Sequence, residues 1–373
     1  MPGFPSLASR CVVVVTALAA FAGASLARLE SARAAETWPQ FRGPHGDGRA
    51  DDATGLPAEF GETKNVVWKT AIDGRGHSSP VVADGLIWIT TALETPLDEA
   101  EKKKRLAGLP LSDQLELAGD LTLEVLAVSE KSGEIVRRVK LFHVASPEPI
   151  HSLNSYASPT CVLDDGKVYC CFGTFGVAAL NASTGEVLWK NDSLHCDHQN
   201  GPGSSPVLWK DRLIVHFDGR DEQFIAAYNT ADGSVAWKTN RSGKMEANID
   251  FKKAYGTPSL VEENGRTIVV SPAADWVYAY DPQDGRELWK VPYGKLGFST
   301  TPKPVGFRDL TFVCTSYMKS KLLAIRTDGP NVGEVVWSSE RQIPQKPSLL
   351  VVGDELYMVA DSGVAACVDA LTG

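Results

Sequence analysis

The sequence predicts an all-β fold, a β-propeller of four-stranded antiparallel blades, from three observations. An eleven-residue phrase occurs at 179–189, 227–237 and 279–289, with Ala first, Gly seventh and Trp last. The last tryptophans of these phrases and Trp337 follow one another at steps of 48, 52 and 48 residues. A proline and then a tight-turn sequence precede each phrase. A period of this size is typical of repeat proteins, and about 45 residues is the size of one propeller blade.

Six copies of the repeat can be recognised, and three of them are weaker than the rest. Arg137 stands where the first copy should have its Trp, Gly333 follows three extra residues, and the last copy ends at Gly373. We expect the tryptophans to be structural, because each places a large apolar side chain on an outer strand that only a neighbouring blade can bury. The residues that define the repeat are Trp68, Trp189, Trp237, Trp289 and Trp337, with the turn glycines Gly133, Gly185, Gly233, Gly285 and Gly333.

The strands of each repeat follow from its proline and turn signals. A first strand tolerates proline at its start, because that residue need not donate to the sheet. The prolines are Pro80, Pro159, Pro206, Pro258, Pro302 and Pro347. Turns such as Asp84-Gly85, Asp165-Gly166 and Asn264-Gly265 follow, and they favour type I′ hairpins because both central residues need positive φ. Each repeat is therefore predicted as strand, tight turn, strand, loop, strand, tight turn and outer strand.

The N-terminus predicts export. Residues 1–34 combine Arg10, the apolar run 11–26 and small residues before the predicted cleavage site, which together are typical of a secretory signal peptide. The alternative is an uncleaved anchor, but about 16 apolar residues are short for a membrane span. We therefore expect a secreted or periplasmic propeller domain over 35–373, with no membrane insertion after cleavage.

One segment interrupts the first blade between its second and third strands. Residues 92–121 are rich in Lys and Glu around several leucines, and they lack the strand and turn signals of the repeat. We predict a short helical insertion there.

The charge balance narrows the class of partner. The whole chain has 37 basic and 46 acidic residues, and removal of residues 1–34 leaves 34 and 45, a net charge of −11. An acidic domain without a basic run argues against nucleic acid or an anionic membrane surface as a partner.

The repeated phrase resembles the tryptophan-docking repeat of the quinoprotein propellers. That group includes the pyrroloquinoline quinone (PQQ) dehydrogenases and the non-enzymatic outer-membrane assembly lipoproteins related to BamB. The segments 38–44 (W-P-Q-F-R-G-P) and 65–69 (N-V-V-W-K) add a narrower likeness to secreted bacterial PQQ-like propellers. The resemblance covers nearly everything from Trp38 to Gly373 and implies the fold more strongly than a function, because one repeat serves enzymes and scaffolds alike.

Polar residues before the first-strand prolines form the candidate binding face. In a propeller these connections open on one face around the axis, and His beside Asp or Cys can bind a metal or act in acid–base chemistry. For each residue the alternative is a loop-capping role, and metal binding stays open. The candidates are His77, His151, Asn154, Tyr156, His198 and Tyr255, with Asp221 from a loop between second and third strands.

The six cysteines of the mature part show no metal-type spacing. The resemblance invites a comparison of Cys170-Cys171 with the vicinal disulfide of PQQ alcohol dehydrogenases. However, this pair lies inside a predicted strand, where neighbouring side chains point to opposite faces. We therefore predict two buried thiols that are free or separately paired.

The preferred function is a secreted, non-catalytic propeller that binds a protein, peptide or glycan on one face, with no cofactor expected. The alternative is an oxidoreductase that depends on PQQ and Ca²⁺. The chain departs from those enzymes, because no set of calcium-binding and catalytic residues can be placed. It also lacks a C-x-x-C-H haem motif, a G-x-S-x-G nucleophile elbow and a Gly-rich phosphate loop.

Two arrangements of the chain ends are open. In one, residues 66–69 act as the outer strand beside 364–368 and close a six-bladed ring, which removes an unpaired edge. In the other, which we favour, the chain is part of a larger ring of about eight blades. The second arrangement predicts that the third strand of the last blade is an unpaired edge.

Overall fold

The computed structural model describes residues 37–51, 53–294 and 297–373. The predicted signal peptide, residues 1–34, lies outside this range. Within it the fold is all-β, as predicted, with one α-helix, Glu99–Leu106. Five four-stranded antiparallel sheets and one three-stranded sheet are formed by the described residues, and each corresponds to one repeat. We number these sheets blades 1 to 6 in chain order.

The strands alternate in the predicted order within each blade. The first strands are Val81–Ala83, Val162–Asp164, Val207–Trp209, Ser259–Glu263, Val305–Phe307 and Leu350–Val352. The second strands are Leu86–Glu94, Lys167–Cys171, Arg212–Asp218, Arg266–Pro272, Leu310–Cys314 and Glu355–Val359. The third strands are Asp120–Ser129, Val177–Asn181, Gln223–Asn229, Trp276–Tyr280, Leu322–Arg326 and Ala365–Asp369. The outer strands of blades 1 to 5 are Ile135–Ala145, Val187–Asn191, Val235–Asn240, Glu287–Pro292 and Val335–Ser339.

In blades 1, 2 and 4, the hairpin turns between first and second strands have the predicted geometry. Asp84 and Gly85 have φ of 53° and 73°, and Asn264 and Gly265 have φ of 48° and 75°. Positive φ at both central residues is the requirement of a type I′ turn. The Asp-Gly and Asn-Gly signals therefore set the register of these hairpins.

Tryptophans of the outer strands dock on the turn glycine of the next blade. Trp189 Nε1 donates to Thr230 O at 2.9 Å, and a Cβ added at Gly233 would lie 2.3 Å from the indole. Trp237 repeats this contact with Pro282 O and Gly285. Only glycine leaves room for the ring, and its φ of 73° suits a residue without a side chain. The prediction that these tryptophans are buried between blades is confirmed for Trp189 and Trp237, which are 8% and 9% exposed.

Trp68 and Trp337 dock in the same way on Gly133 and Gly373, although the carbonyl acceptors are Glu130 O and Ala370 O. In the first copy, Arg137 takes the place of Trp. Its guanidinium donates to Ser183 O, and its stem lies against Gly185. The guanidinium thus supplies an N–H donor in place of the indole N–H, and the aliphatic part of the arginine side chain packs where the indole ring would.

Trp289 departs from the expected equivalence. It lies on the outer strand of blade 4, but its Nε1 donates to the Glu263 carboxylate at 3.0 Å rather than to a carbonyl of blade 5. A Cβ at Gly333 would meet only Val291, at 3.8 Å. The three extra residues before Gly333 lengthen this turn, so the glycine no longer faces the indole.

Adjacent first strands are joined by hydroxyl groups beside the prolines that recur in the repeats. Backbone N–H groups of Ser79, Thr160 and Ser205 donate to side-chain hydroxyls one blade further on, at 2.9, 2.9 and 3.0 Å. The last of these bonds ends on Thr257. This contact explains why Ser or Thr flanks most of the prolines, and it places the first strands nearest the propeller axis.

The segment 38–48 connects three of these first strands. Trp38 pairs with Val82 of blade 1, and Pro39 O accepts from the Leu163 N–H of blade 2 at 2.8 Å. Arg42 donates to Leu349 O, just before blade 6. The motif at 38–44 therefore joins blades that are far apart in sequence.

The predicted insertion in blade 1 is present. The flanking strands continue to Glu94 and from Asp120, and Asp98 Oδ1 caps the helix by accepting from two backbone N–H groups. Its strand Leu115–Glu116 pairs with Ile150–His151 from the connection between blades 1 and 2. The insertion therefore packs on the same end of the blades as that connection.

The third strand of blade 6 is an unpaired edge. Ala365–Asp369 pairs with the second strand of its blade and with no other strand of the described chain. Residues 66–69 form no strand, and no hydrogen bond joins them to 364–368. The unpaired edge is as predicted, and the six-bladed closure by 66–69 is not the arrangement of this structure.

Candidate functional site

The candidate residues lie in connections at one end of the blades, which we call the upper face. It consists of the links from each outer strand to the next first strand, and of the loops between second and third strands. The antiparallel order of the blades brings both sets to the same end. The two sets touch where the Asp197 N–H donates to Asp221 Oδ1 at 2.7 Å.

Three candidates converge on the loop 197–203 between blades 2 and 3. Asn154 Nδ2 donates to Asn200 O at 2.7 Å and to Pro202 O at 3.2 Å. Tyr255 donates from its hydroxyl to His198 O at 2.7 Å. The loop is held by side chains from blades on both sides, so Asn154 and Tyr255 act here as positioning groups.

His198 itself is buried within this loop, 5% exposed. Its Nε2 accepts from the Thr174 N–H at 3.2 Å, and the Cys196 thiol lies 3.5 Å from Nδ1. Burial lowers the pKa of His198 to about 4. Burial, with nearby carboxylates such as Asp218, raises the pKa of Cys196 well above its ordinary value. Both groups are therefore neutral near pH 7, and they do not form the thiolate–imidazolium pair of a cysteine nucleophile.

The other candidates divide into buried and accessible groups. Tyr156 is fully buried and donates to Glu148 O at 2.8 Å. His151 accepts the Leu153 N–H at Nδ1 and lies 3.3 Å from Gln114 Oε1 of the insertion. His77 is exposed. In this structure Tyr156 positions its loop, whereas His77 faces solvent.

Asp221 is exposed and works as a turn residue. Its Oδ1 accepts from its neighbour Glu222 as well as from Asp197, both at 2.7 Å. Beside it, Arg220 bridges the carboxylates of Asp197 and Asp250. These bonds tie together the connections that flank blade 3, which gives the upper face a fixed shape.

Two depressions at this end of the molecule were not predicted from the sequence. One, of 380 Å³, lies between blades 1 and 2 and is lined by Phe142, Glu148, Phe175 and His195 among others. Burial in its walls and repulsion by Asp197 and Asp221 raise the pKa of Glu148 to about 7, although the side chain is still in contact with solvent. The two walls of this depression come from different blades, so no local sequence pattern predicts it.

A wider groove of 730 Å³ runs between blades 4, 5 and 6. Its lining is mainly polar and includes Lys319, Glu340 and Asp361. Met318 lies at its edge with 53% of its surface exposed, and the adjacent Tyr317 is equally exposed.

Among the described residues, neither a vicinal cysteine pair that shares one core nor a group of metal ligands is present. Cys170 packs in the core between blades 1 and 2, and Cys171 in the core between blades 2 and 3. Neighbouring side chains of one strand have diverged, as the sequence predicted. In the described part of the chain, no three His, Cys, Asp or Glu side chains are grouped closely enough to hold a metal ion. Nor does any helix of the described residues have the length and apolar character needed to cross a bilayer.

Fold and site together define a repeat-built propeller with a fixed polar face. A family model described as outer membrane protein assembly factor BamB matches residues 122–373, and the chain belongs to this family. The chain is 24% identical to BamB of Yersinia pestis over 254 residues, which is 64% of this chain and 59% of that protein.

Similarity extends to quinoproteins. The chain is 29% identical over 147 residues to the quinohemoprotein alcohol dehydrogenase ADH-IIG of Pseudomonas putida, which is 35% of this chain and 19% of that enzyme. Among solved structures, BamB from Moraxella catarrhalis aligns with a TM-score of 0.45 at 15% identity, over 68% of each chain. The chain therefore spans about three-fifths of the length of BamB from Yersinia pestis and about one-fifth of the length of the alcohol dehydrogenase from Pseudomonas putida.

Proposed function

We propose that this chain is an extracytoplasmic, non-catalytic propeller that binds a protein partner through its upper face. One observation carries the proposal. The connections of this face present large apolar side chains to solvent, although the loops beneath are held by hydrogen bonds. They are Leu111, Leu153, Ile249, Tyr317 and Met318, between 44% and 78% exposed. Exposed apolar groups on a rigid polar frame are typical of protein-binding surfaces.

The chemistry of the site supports binding over catalysis. His198 and Cys196 are buried in neutral forms. The side chains of Asn154 and Tyr255 donate hydrogen bonds to the protein's own loops. Family membership supports a protein as the partner, since the family's description names an assembly factor of outer membrane proteins.

The test is site-specific photo-crosslinking in cells that express the full chain. A photoreactive phenylalanine analogue at Leu153 or Met318 is expected to capture one partner protein, which mass spectrometry identifies. The same analogue at Lys131, which is exposed in a turn at the opposite end of blade 1, serves as the control and should capture none. With the purified partner, Leu153→Ser and Met318→Ser should each weaken binding about tenfold. Equal capture from both ends would reject the upper face.

The alternative has its own readout. The purified protein is incubated with PQQ and Ca²⁺ and then desalted. We expect no retained quinone absorbance and no dye-linked oxidation of alcohols or sugars. Retention of one PQQ per chain with turnover would replace the proposal by the oxidoreductase. Export is checked separately by N-terminal sequencing, which should begin at Ala35.

A further inference from the structure

Two cysteines of blade 2 face each other across neighbouring strands. Val162 pairs with Tyr169 in the antiparallel register, so the next pair along is Cys161 opposite Cys170. Their sulfur atoms are 3.4 Å apart, and both side chains are at most 1% exposed. Both point into the core between blades 1 and 2.

The other cysteines of the described chain are separated from this pair. Cys171 points into the next core and accepts the Gly173 N–H, and Cys196 lies beside His198. Cys314 is buried in blade 5, and Cys367 is exposed in blade 6. Cys170 therefore has one neighbour within reach, and that neighbour is Cys161 rather than the adjacent Cys171.

We propose that Cys161 and Cys170 form a disulfide in the exported protein, which locks the first hairpin of blade 2. The inference rests on the extracytoplasmic location proposed above, because disulfides persist in oxidising compartments. Directly opposite residues of an antiparallel pair have Cα atoms about 4.5–5.5 Å apart, within the range of about 4.4–6.8 Å that a disulfide spans. The sulfurs need only rotate toward each other to bond.

The oxidation balances by thiol–disulfide exchange with a disulfide donor, either a protein dithiol oxidase or oxidised glutathione. One thiolate attacks the donor disulfide to give a mixed disulfide, and the second cysteine then displaces the donor sulfur. The pair loses two electrons and two protons, and the donor is reduced to two thiol groups, which are the dithiol of the oxidase or two molecules of glutathione. Burial in the folded protein raises the pKa of the Cys170 thiol well above its ordinary value. The exchange therefore takes place before blade 1 covers this hairpin.

This bond has a functional consequence. A disulfide to Cys161 leaves Cys170 unavailable to Cys171, so the vicinal disulfide that the sequence resemblance suggested is not formed. The disulfide closes the first hairpin of blade 2, and the link that leaves the outer strand of this blade contains His198. It therefore stiffens the part of the upper face next to the loop 197–203.

Trypsin makes the pairing easy to determine. Cleavage after Lys140, Lys167 and Lys190 separates Cys161 from Cys170 and Cys171. The exported full chain is denatured with N-ethylmaleimide and digested without reductant. We expect peptides 141–167 and 168–190 to be joined, with the label on Cys171. A vicinal disulfide would instead leave 168–190 unlabelled and unlinked. Either that result or labels on all three cysteines would overturn the proposal.

Refolding the purified full chain in a glutathione redox buffer separates this proposal from the proposed function. The linked peptide should form there whether or not a partner binds or export occurs. Reduction should lower the melting temperature of the wild type and of Cys171→Ala by roughly 3–6 °C. It should leave Cys161→Ala and Cys170→Ala unchanged. Equal effects of reduction on all four proteins would contradict a Cys161–Cys170 bond.

Discussion

At the scale of single residues, Lys303 makes stability depend on pH. It follows Pro302 at the start of blade 5, is 4% exposed, and its Nζ makes no hydrogen bond within the described chain. Burial, reinforced by the charge of Arg42 and opposed by Asp47, lowers the pKa of Lys303 to about 7. Below pH 7 both folded and unfolded chains carry the charge, so folding bears the full cost of its desolvation. Between pH 7 and 10.5 the unfolded chain binds more protons, so stability rises with pH.

Lys303→Met should therefore stabilise the protein most in acid. At pH 6 we expect the variant to exceed the wild type by about 3–5 kcal/mol in the free energy of unfolding. By pH 10 the two should be nearly equal. Urea unfolding at several pH values measures this difference. Protonation of His198 below pH 6.5 destabilises both proteins equally, so its effect cancels in the difference. Lys319→Met, at an exposed site, is the control. A difference that stays constant with pH would show that Lys303 is not desolvated.

Sequence reasoning assigned the candidate residues to connections between strands but did not predict their accessibility. The offset from each proline is a local signal, and it assigned His77, His151 and Tyr255 to the links that precede the first strands. Burial of His198 depends instead on Thr174 from a different connection and on Tyr255 from another blade. Such contacts join residues at irregular separations along the chain, so no sequence pattern predicts them.

At the scale of elements, docking of tryptophan on glycine links neighbouring blades. Trp237 fills a site that Gly285 leaves open, whereas Trp289 bonds within its own blade to Glu263. The sequence predicted all four outer-strand tryptophans as equivalent. The lengthened turn before Gly333 was visible in the sequence, and it is the signal that distinguishes Trp289.

Replacement of the two tryptophans should separate these roles. Trp237→Ala should cost about 3–5 kcal/mol of unfolding free energy, because it empties a packed site and leaves Pro282 O without its donor. Trp289→Ala should cost about half as much, because its ring is more exposed and fills no glycine site. Equilibrium denaturation measures both values in the same background. Equal losses would mean that docking on glycine adds nothing to the burial of the ring.

At the scale of the whole molecule, local repeats determined the blades, but long-range contacts determined how they are tied together. The repeats predicted the strand order of the blades, and their Asp-Gly and Asn-Gly turns predicted the turn type of blades 1, 2 and 4. They did not predict that 38–48 would join the first strands of blades 1, 2 and 6. That segment has no repeat period, and its partners lie up to 307 residues away in sequence. Resemblance marked it as typical of the family without giving its position.

The unpaired edge of blade 6 makes a prediction about association. Ala365–Asp369 exposes backbone donors and acceptors along one side, with Val364 45% exposed beside it. An unpaired edge with few charges is a template for pairing with another chain, and a lysine on it opposes such pairing by its charge and hydration. Ala365→Lys should therefore slow the concentration-dependent increase in light scattering several-fold without changing the melting temperature. The matched control is Val336→Lys, exposed on the outer strand of blade 5, a blade that has all four of its strands. If both lysines slow scattering equally, general charge repulsion is responsible. If only Ala365→Lys acts, association takes place at the edge that residues 66–69 leave open.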